Sequence, residues 1–309
     1  MFNIIGRRFH WFALSGLLVL VAIVSLVIFG LKPGIEFSSG SLLTVRFEQA
    51  VNINDLKSEL ASLGYPSAIV QSTGSGDFQI RTGTLNDDAR ESLEQGLKDT
   101  FGTVTESGFV SIEPTVSRQT VRTVIIAIAI ASLGILLYVT FAFRKMPKPF
   151  HYGTCGIVAL LFDIMMVVGI FALLAGLLHW EVNLMFITGL LSVIGYSIND
   201  KIVIFDRIRE NSRRSAGLDF AQMVNRSIVE TLTRSLITGM CTLFTILALM
   251  LFVGSTIMNF LVVLLIGIIA GTYSSILVSA PLLVVWQNGE WGRFLPWLKR
   301  SEAELKTSP

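Results

Sequence analysis

Six long apolar runs restrict what this chain can fold into more than any other feature of its sequence. Each run is long enough for an α-helix that crosses the hydrocarbon core of a bilayer, which takes about 20 residues. The runs lie near residues 11–31, 121–143, 153–178, 183–205, 235–253 and 257–287. They predict a polytopic α-helical membrane protein with six transmembrane helices.

The composition agrees with a membrane protein and excludes several other classes. Of the 309 residues, 52% are hydrophobic and 15% are charged, whereas a soluble domain has about 25% charged residues. The basic residues are scattered, so we expect no nucleic-acid surface. Cys155 and Cys241 lie in apolar runs, where we expect them to pack as small hydrophobic side chains. The sequence has no His/Cys cluster, so it predicts neither a metal site nor a cofactor.

The distribution of Lys and Arg predicts the orientation of the helices. Basic residues precede the first run and follow the second, fourth and sixth, whereas the short connections "LHWEVN" and "GSTIMN" carry none. Because basic loops stay in the cytoplasm, both termini are predicted to be cytoplasmic. The first run is too long for a signal peptide and has no cleavage pattern. Residues 1–31 are therefore expected to form the N-terminus and an uncleaved first helix, and residues 288–309 a cytoplasmic tail.

A polar insert, residues 32–120, separates the first helix from the five helices within 121–287. Its strand-like segments are "SLLTVRFE", "SAIVQST", "DFQIRTG" and "VTESGFVSIEP", and its helix-like segments are "NINDLKSELASLG" and "LNDDARESLEQGLKDTFG". The resulting order β-α-β-β-α-β predicts a ferredoxin-like α+β domain. It carries neither a nucleophile–base pair nor a Gly-rich phosphate loop, so we interpret it as a binding or lever module rather than an enzyme.

Charged side chains within the apolar runs are candidate functional residues, because burying a charge in a membrane costs several kcal/mol. Asp163 lies roughly 15 Å from the cytoplasmic end of the third run at the helical rise per residue. Asp200 precedes Arg207 by seven residues, which places it roughly 10 Å from the cytoplasmic edge. Arg234 begins the fifth run at a comparable depth, so Asp200 and Arg234 are candidates for an ion pair.

Asp200 has two interpretations at this stage. It is either one half of a structural ion pair with Arg234 or Lys201, or a carboxyl that takes up and releases protons, with an arginine that stays charged nearby. For Asp163, a structural and a functional role are both open. Lys201 follows Asp200 and is rotated from it by about 100° on a helix, so it faces another helix or extends toward the headgroups.

Two further patterns concern packing and the membrane edge. The charged residues that follow the fourth run are expected to form a solvated loop: Asp206, Arg207, Arg209 and Glu210. Small residues recur at every fourth position of the last run and favour close helix packing over a pore lining: Gly267, Gly271, Ser275 and Ser279. Pro281 in the same run predicts a kink, a tilt or an early end of the helix.

Three segments resemble the SecD/SecF family of protein-export membrane proteins. "YSINDKIVIFDRIREN" resembles the fourth-helix motif of its SecF branch, "GIEFSSGS" the glycine motif after the first helix, and "ETLTRSLITG" the fifth-helix segment with an intramembrane arginine. The layout of one helix, an α+β domain and five helices is similar over the whole chain. Lys201 is a departure, since the family motif usually has threonine at this position.

The resemblance implies a periplasmic position for the α+β domain and a place in the RND superfamily. It implies that the chain pairs with SecD in the bacterial cytoplasmic (inner) membrane and assists the SecYEG translocon in exporting unfolded polypeptides, with YajC and YidC as further candidate partners. The energy source would be the proton-motive force. Carried onto this chain, Asp200 and Arg234 are proton-path residues, Asn199 belongs to the same motif, and Asp163 matches a family acid in the third helix.

Two rival functions stay open on the sequence. One is an RND-type, proton-coupled exporter subunit for small molecules or lipids, which would need an apolar cleft in the α+β domain. The other is a scaffold that stabilises the translocon without transporting anything, for which the intramembrane charges would be dispensable. The sequence leaves the coupling ion open between H⁺ and Na⁺.

Overall fold

The structure is a computed structural model that describes residues 3–72, 76–178, 180–214, 217, 219–252 and 257–290. A 3₁₀ turn, Ile5–Arg7, leads into α1 (Arg8–Phe29), and the short α2 (Ile35–Ser38) follows. The α+β domain then comprises β1 (Gly40–Phe47), α3 (Ile53–Ser62), β2 (Ile69–Ser72), β3 (Asp77–Thr82), α4 (Asp87–Phe101) and β4 (Val104–Ile112). The membrane helices are α5 (Pro114–Ala142), α6 (Pro149–Leu178), α7 (Leu184–Arg214), α8 (Phe220–Phe252), α9 (Met258–Ser274) and α10 (Ala280–Asn288).

The α+β domain forms because its strands alternate and its helices are capped. Asn52 and Asn86 accept hydrogen bonds from the backbone N–H groups of Asn54 and Ala89 and so begin α3 and α4. Gly102 ends α4 at φ 82°, a conformation that favours glycine. The sheet has the order β2-β3-β1-β4, with every neighbouring pair antiparallel. The predicted β-α-β-β-α-β order is confirmed; the tip of its predicted hairpin, residues 73–75, lies outside the described residues.

The core of this domain lies between the sheet and its two helices. Leucines from α3 and α4 are fully buried against the inward-facing residues of β1 and β3. The principal members of this core are Leu43, Val45, Leu56, Leu60, Ile80, Leu93 and Leu97. The domain therefore has an apolar core of its own, separate from the membrane helices.

Six helices are long and apolar enough to cross a membrane within the described part of the chain, as the sequence predicted. Several are longer than the apolar runs. Helix α5 begins at Pro114 rather than near residue 121, and α7 continues to Arg214 instead of ending near residue 205. Helix α8 begins at Phe220, well before the predicted start at residue 235.

The expected solvated loop after residue 205 is wrong, because Asp206, Arg207, Arg209 and Glu210 are helical. Their charges pair along α7 and across to α8. Arg207 contacts Glu210 on its own helix at 2.5 Å and Glu230 on α8 at 2.7 Å, and Arg209 contacts Asp206. Ile204, Phe205 and Ile208 are buried beneath this polar face. The chain therefore stays helical past the membrane edge, as an amphipathic hairpin with α8.

Helices α7 and α9 are in close contact through small residues. A Cβ added at Gly267 would clash with the side chain of Val193, and one added at Gly271 would lie 3.2 Å from the Cβ of Ser197. The small residues at these two positions of α9 therefore pack against α7, as the sequence pattern predicted.

A π-helical segment, Ser275–Ser279, joins α9 to α10, so the chain crosses the membrane without ending at Pro281. Proline lacks an N–H and its ring clashes with the carbonyl four residues earlier, and a wider turn relieves that clash. Ser275 and Ser279 donate from their hydroxyls to carbonyls four residues before them, at 2.6 and 3.0 Å.

Different segments of the chain meet at the two ends of the helix bundle. At one end Arg8 pairs with Glu290 at 2.6 Å, which brings the beginning of α1 to the end of α10. At the other end the segment after α1 pairs with the α6–α7 connection, where Gly34 donates to the carbonyl of Val182 at 2.8 Å. Arg81 of β3 also contacts Glu181 at 2.9 Å. The α+β domain is therefore attached at the end opposite the helix termini joined by Arg8.

We predict that Gly267→Ala lowers the free energy of unfolding by about 1–3 kcal/mol, because the added methyl group must displace Val193. The measurement is thermal or denaturant unfolding in detergent. Gly134→Ala is the matched control, since nothing lies within 4 Å of a Cβ added there. Equal stability of the two variants would contradict the close α7–α9 packing.

Candidate functional site

Lys201 forms a buried ion pair with Asp163 at membrane depth. Its side chain is 0% exposed and that of Asp163 is 1% exposed. The ammonium Nζ of Lys201 on α7 lies 2.7 Å from Oδ2 of Asp163 on α6. Ser197, one turn before Lys201, donates from its hydroxyl to the same carboxylate oxygen and accepts a hydrogen bond from Nζ. Lys201 and Asp163 neutralise each other inside the bundle, and the hydroxyl of Ser197 bonds to both.

This pair explains the lysine that departs from the family motif. Of the positions predicted for Lys201, the one facing a neighbouring helix is confirmed, and that helix is α6. An ion pair between Lys201 and Asp200 is wrong, because the ammonium is directed to the other side of α7. The contacts also favour the structural interpretation of Asp163, whose charge is compensated by Lys201.

Asp200 lies on the face of α7 that packs against α8 and is half-buried. Its Oδ1 accepts a hydrogen bond from the hydroxyl of Ser235 at 2.6 Å. Its Oδ2 is buried and has no hydrogen-bond partner among the described residues. A carboxylate oxygen left without a partner in a low-dielectric setting is costly when charged.

Arg234 does not form the expected ion pair with Asp200. Among the described residues, no carboxylate lies within the 4.0 Å ion-pair distance of Arg234. The reason is helical geometry: Ser235 points at Asp200, and its neighbour Arg234 is rotated by about 100° around α8. Arg234 is therefore exposed beside the contact between α7 and α8.

Asp200 and Arg234 nevertheless border the same small cavity. Its volume is about 60 Å³, enough to hold water molecules. Asn199 is exposed and also borders this cavity. The full lining is Tyr196, Asn199, Asp200, Val203, Arg234, Ser235 and Thr238. The structure thus brings together three of the four predicted proton-path residues and separates Asp163 from them.

Sequence reasoning missed two serines that orient the charges. Ser197 contacts the Lys201–Asp163 pair, and Ser235 holds Asp200. Ser197 precedes Lys201 by four residues, so the two lie on one face of a helix. That spacing is the only signal in the sequence that pointed to Ser197. Ser235 lies next to Arg234, but no spacing rule connects it to a residue on another helix.

Comparison with known proteins shows the family. The model of the family "Protein export membrane protein SecD/SecF, C-terminal" matches residues 92–289. The "SecD/SecF GG Motif" model matches residues 24–51. The chain belongs to the SecD/SecF family.

Relatives within the SecD/SecF family match along nearly the whole chain. A protein translocase subunit SecF from Thermobaculum terrenum is 44% identical over 98% of this chain and 99% of its own length. The protein translocase subunit SecDF of Bacillus subtilis is 30% identical over 92% of this chain, which spans 38% of that protein. The crystal structure of SecDF from Thermus thermophilus, a translocon-associated membrane protein, matches with a TM-score of 0.83 at 34% identity, over 93% of this chain and 39% of that one.

These matches distinguish between the functions left open by the sequence. By family and extent, the chain is a SecF-type subunit of a protein translocase, whereas SecDF proteins are more than twice as long. The SecD/SecF assignment favours protein export over a small-molecule or lipid exporter.

We predict that Lys201→Met lowers the free energy of unfolding by about 3–5 kcal/mol, because it leaves the buried carboxylate of Asp163 without its cation. The double variant Asp163→Asn/Lys201→Met removes both charges and should recover most of that loss. The measurement is unfolding in detergent, with Lys148→Met as the control at an exposed lysine. A double variant as unstable as Lys201→Met would contradict the pairing.

Proposed function

We propose that this SecF-type chain works with SecD and uses the proton-motive force to promote export of unfolded polypeptides through the SecYEG translocon, with Asp200 as its proton-carrying group. The observation that carries the proposal is the buried, unpartnered Oδ2 of Asp200 beside a cavity that it shares with Arg234. No enzymatic step is part of it.

The surroundings of Asp200 support a change of protonation. When charged, the carboxylate has one hydrogen bond, from Ser235, and a buried second oxygen. When protonated, that oxygen becomes a hydroxyl whose burial costs less. The cavity of about 60 Å³ offers space for water to bring the proton.

Arg234 offers a way for a change in the protonation of Asp200 to change the packing of α7 against α8. Its guanidinium stays charged in both states of Asp200. The charged carboxylate attracts it across the cavity, and the neutral carboxyl does not, so the α7–α8 contact changes with each proton. Moving one charge through 100 mV is worth about 2.3 kcal/mol, which is enough to shift the populations of two packing arrangements.

The attachment of the α+β domain supports its role as the moving part. Arg81 contacts Glu181 and the carbonyl of Pro33, so the domain is tied to the α6–α7 connection and to the segment after α1. With both termini in the cytoplasm, as the basic loops predict, this end of the bundle faces the periplasm of a bacterial inner membrane. A shift among α6, α7 and α8 is therefore passed to the domain through these contacts.

The exposed face of α8 that carries Arg234 and Cys241 supports contact with a SecD partner. Arg234 is exposed at membrane depth, where contact with lipid is costly. Cys241, two turns further along this face, is exposed as well. Because the chain spans 39% of the matched SecDF chain, a SecD-type chain is the natural cover for this side. SecYEG, YajC and YidC stay candidate partners.

We predict that Asp200→Asn inserts normally but abolishes the part of export that depends on the proton-motive force, because an amide cannot take up a proton. The measurement is export of a preprotein into inverted vesicles, with and without an uncoupler. Asp206→Asn is the matched control, since Asp206 is exposed at the helix edge. Full uncoupler-sensitive export by Asp200→Asn would favour the scaffold function. Replacing Na⁺ by K⁺ in the same assay distinguishes H⁺ from Na⁺ as the coupling ion, because only Na⁺-coupled export is lost.

We predict that a photo-crosslinker attached to Cys241 in a Cys155→Ala background captures a SecD-type chain in native membranes. Cys241 is exposed on the side of α8 that carries Arg234, whereas Cys155 is buried. The readout is the mass of the crosslinked product, and the control is the same reagent on a cysteine introduced at Ile23 of α1 in a chain whose Cys241 is also replaced by alanine. Capture of SecD only from the control position would refute α8 as the SecD-facing helix.

A further inference from the structure

A basic cleft of about 320 Å³ lies where the end of α5 meets the last turns of α7. It is lined by Phe141, Ala142, Arg144, Lys145, Arg209 and Arg213. Four of these residues are cationic and none is acidic. Arg209 follows Asp200 by nine residues, so the cleft lies roughly 13 Å further toward the polar end of α7. It is separate from the proton site.

Three of the four cations that line this cleft have no acidic partner among the described residues. Arg209 alone has an acidic partner, Asp206, at 2.5 Å. In the described ranges, Arg144, Lys145 and Arg213 form no ion pair. Arg144 instead lies over the ring of Phe141 at 4.2 Å. The C-terminal ends of α5 and α7 both lie at this cleft and favour positive charge there, but neither supplies an anion that would neutralise the cations.

An exposed apolar track leads away from the cleft along α5. Leu133, Leu137 and Phe141 lie on one face of the helix and are 56%, 60% and 63% exposed. Tyr138 beside them is 62% exposed. By its composition the track belongs in the hydrocarbon core, and the charged cleft at its end belongs at the level of the headgroups. Apolar chains joined to an anionic group would match both surfaces at once.

We propose that this cleft binds the phosphate-bearing headgroup of an anionic phospholipid, with the acyl chains of the lipid lying along α5. Basic pockets at the cytoplasmic ends of membrane helices attract such headgroups. Arg144 and Arg213 present planar guanidinium groups of the kind that bind phosphate oxygens in pairs, and the stacking on Phe141 holds that of Arg144 in place. This inference goes beyond the proposed export function and does not depend on it.

The test measures binding of three probes to the full chain purified in a neutral detergent. The probes are short-chain phosphatidylglycerol, short-chain phosphatidylcholine and inorganic phosphate. We expect phosphatidylglycerol to bind most tightly, and the variant Arg144→Gln/Lys145→Gln/Arg213→Gln to bind it at least about tenfold more weakly, since each cation near a headgroup contributes. Inorganic phosphate competing as well as phosphatidylglycerol would overturn the lipid assignment.

A control variant with the same change of charge separates the cleft from general attraction. Arg7→Gln/Lys148→Gln/Arg214→Gln removes three exposed cations that do not line the cleft, and we expect its affinity for phosphatidylglycerol to stay within about twofold of the unmodified chain. Equal losses in both triple variants would overturn the proposal. If the cleft variant misfolds, Lys145→Glu and Lys148→Glu repeat the comparison with single exposed changes; unchanged binding by Lys145→Glu would overturn it equally.

Discussion

The buried ion pair between Lys201 and Asp163 fixes how α7 is rotated, and the functional site depends on that rotation. Successive residues of a helix point about 100° apart. With the ammonium of Lys201 held against α6 at 2.7 Å, the adjacent carboxyl of Asp200 is directed to α8. Gly271 of α9 allows the close approach that presses Ser197 onto the same pair. Lys201 thus compensates the charge of Asp163, whereas Asp200 forms no ion pair among the described residues.

The same arrangement gives the two acids at membrane depth different partners. Asp163 has the ammonium of Lys201 at 2.7 Å from Oδ2, although its Oδ1 is also buried without a hydrogen-bond partner among the described residues. Asp200 has a hydroxyl partner, a buried second oxygen and a cavity that it shares with Arg234. In the proposed function, the Lys201–Asp163 pair holds α6 and α7 together while the charge of Asp200 changes the α7–α8 contact. In this proposal the α7–α8 contact can change while the α6–α7 contact stays in place.

Much of the architecture was predictable because it follows local rules. The apolar runs require membrane helices, and the alternation in β1 together with the Asn caps of α3 and α4 produces the β-α-β-β-α-β order. The ends of the helices were less predictable. Hydropathy reports only where a helix is in lipid, so the runs did not reveal that α7 and α8 continue past the membrane as a paired hairpin stabilised by Arg207 and Glu230.

The sequence by itself determined the membrane spans, the α+β insert and the presence of Asp163, Asn199, Asp200 and Arg234 at membrane depth, because composition and spacing act along one chain. Only the tertiary structure decided which charges meet. Lys201 reaches Asp163 across 38 positions, and Ser235 rather than Arg234 donates to Asp200. Such pairings depend on the rotation and separation of whole helices, which close contacts such as Gly267 against Val193 set. No local pattern encodes them.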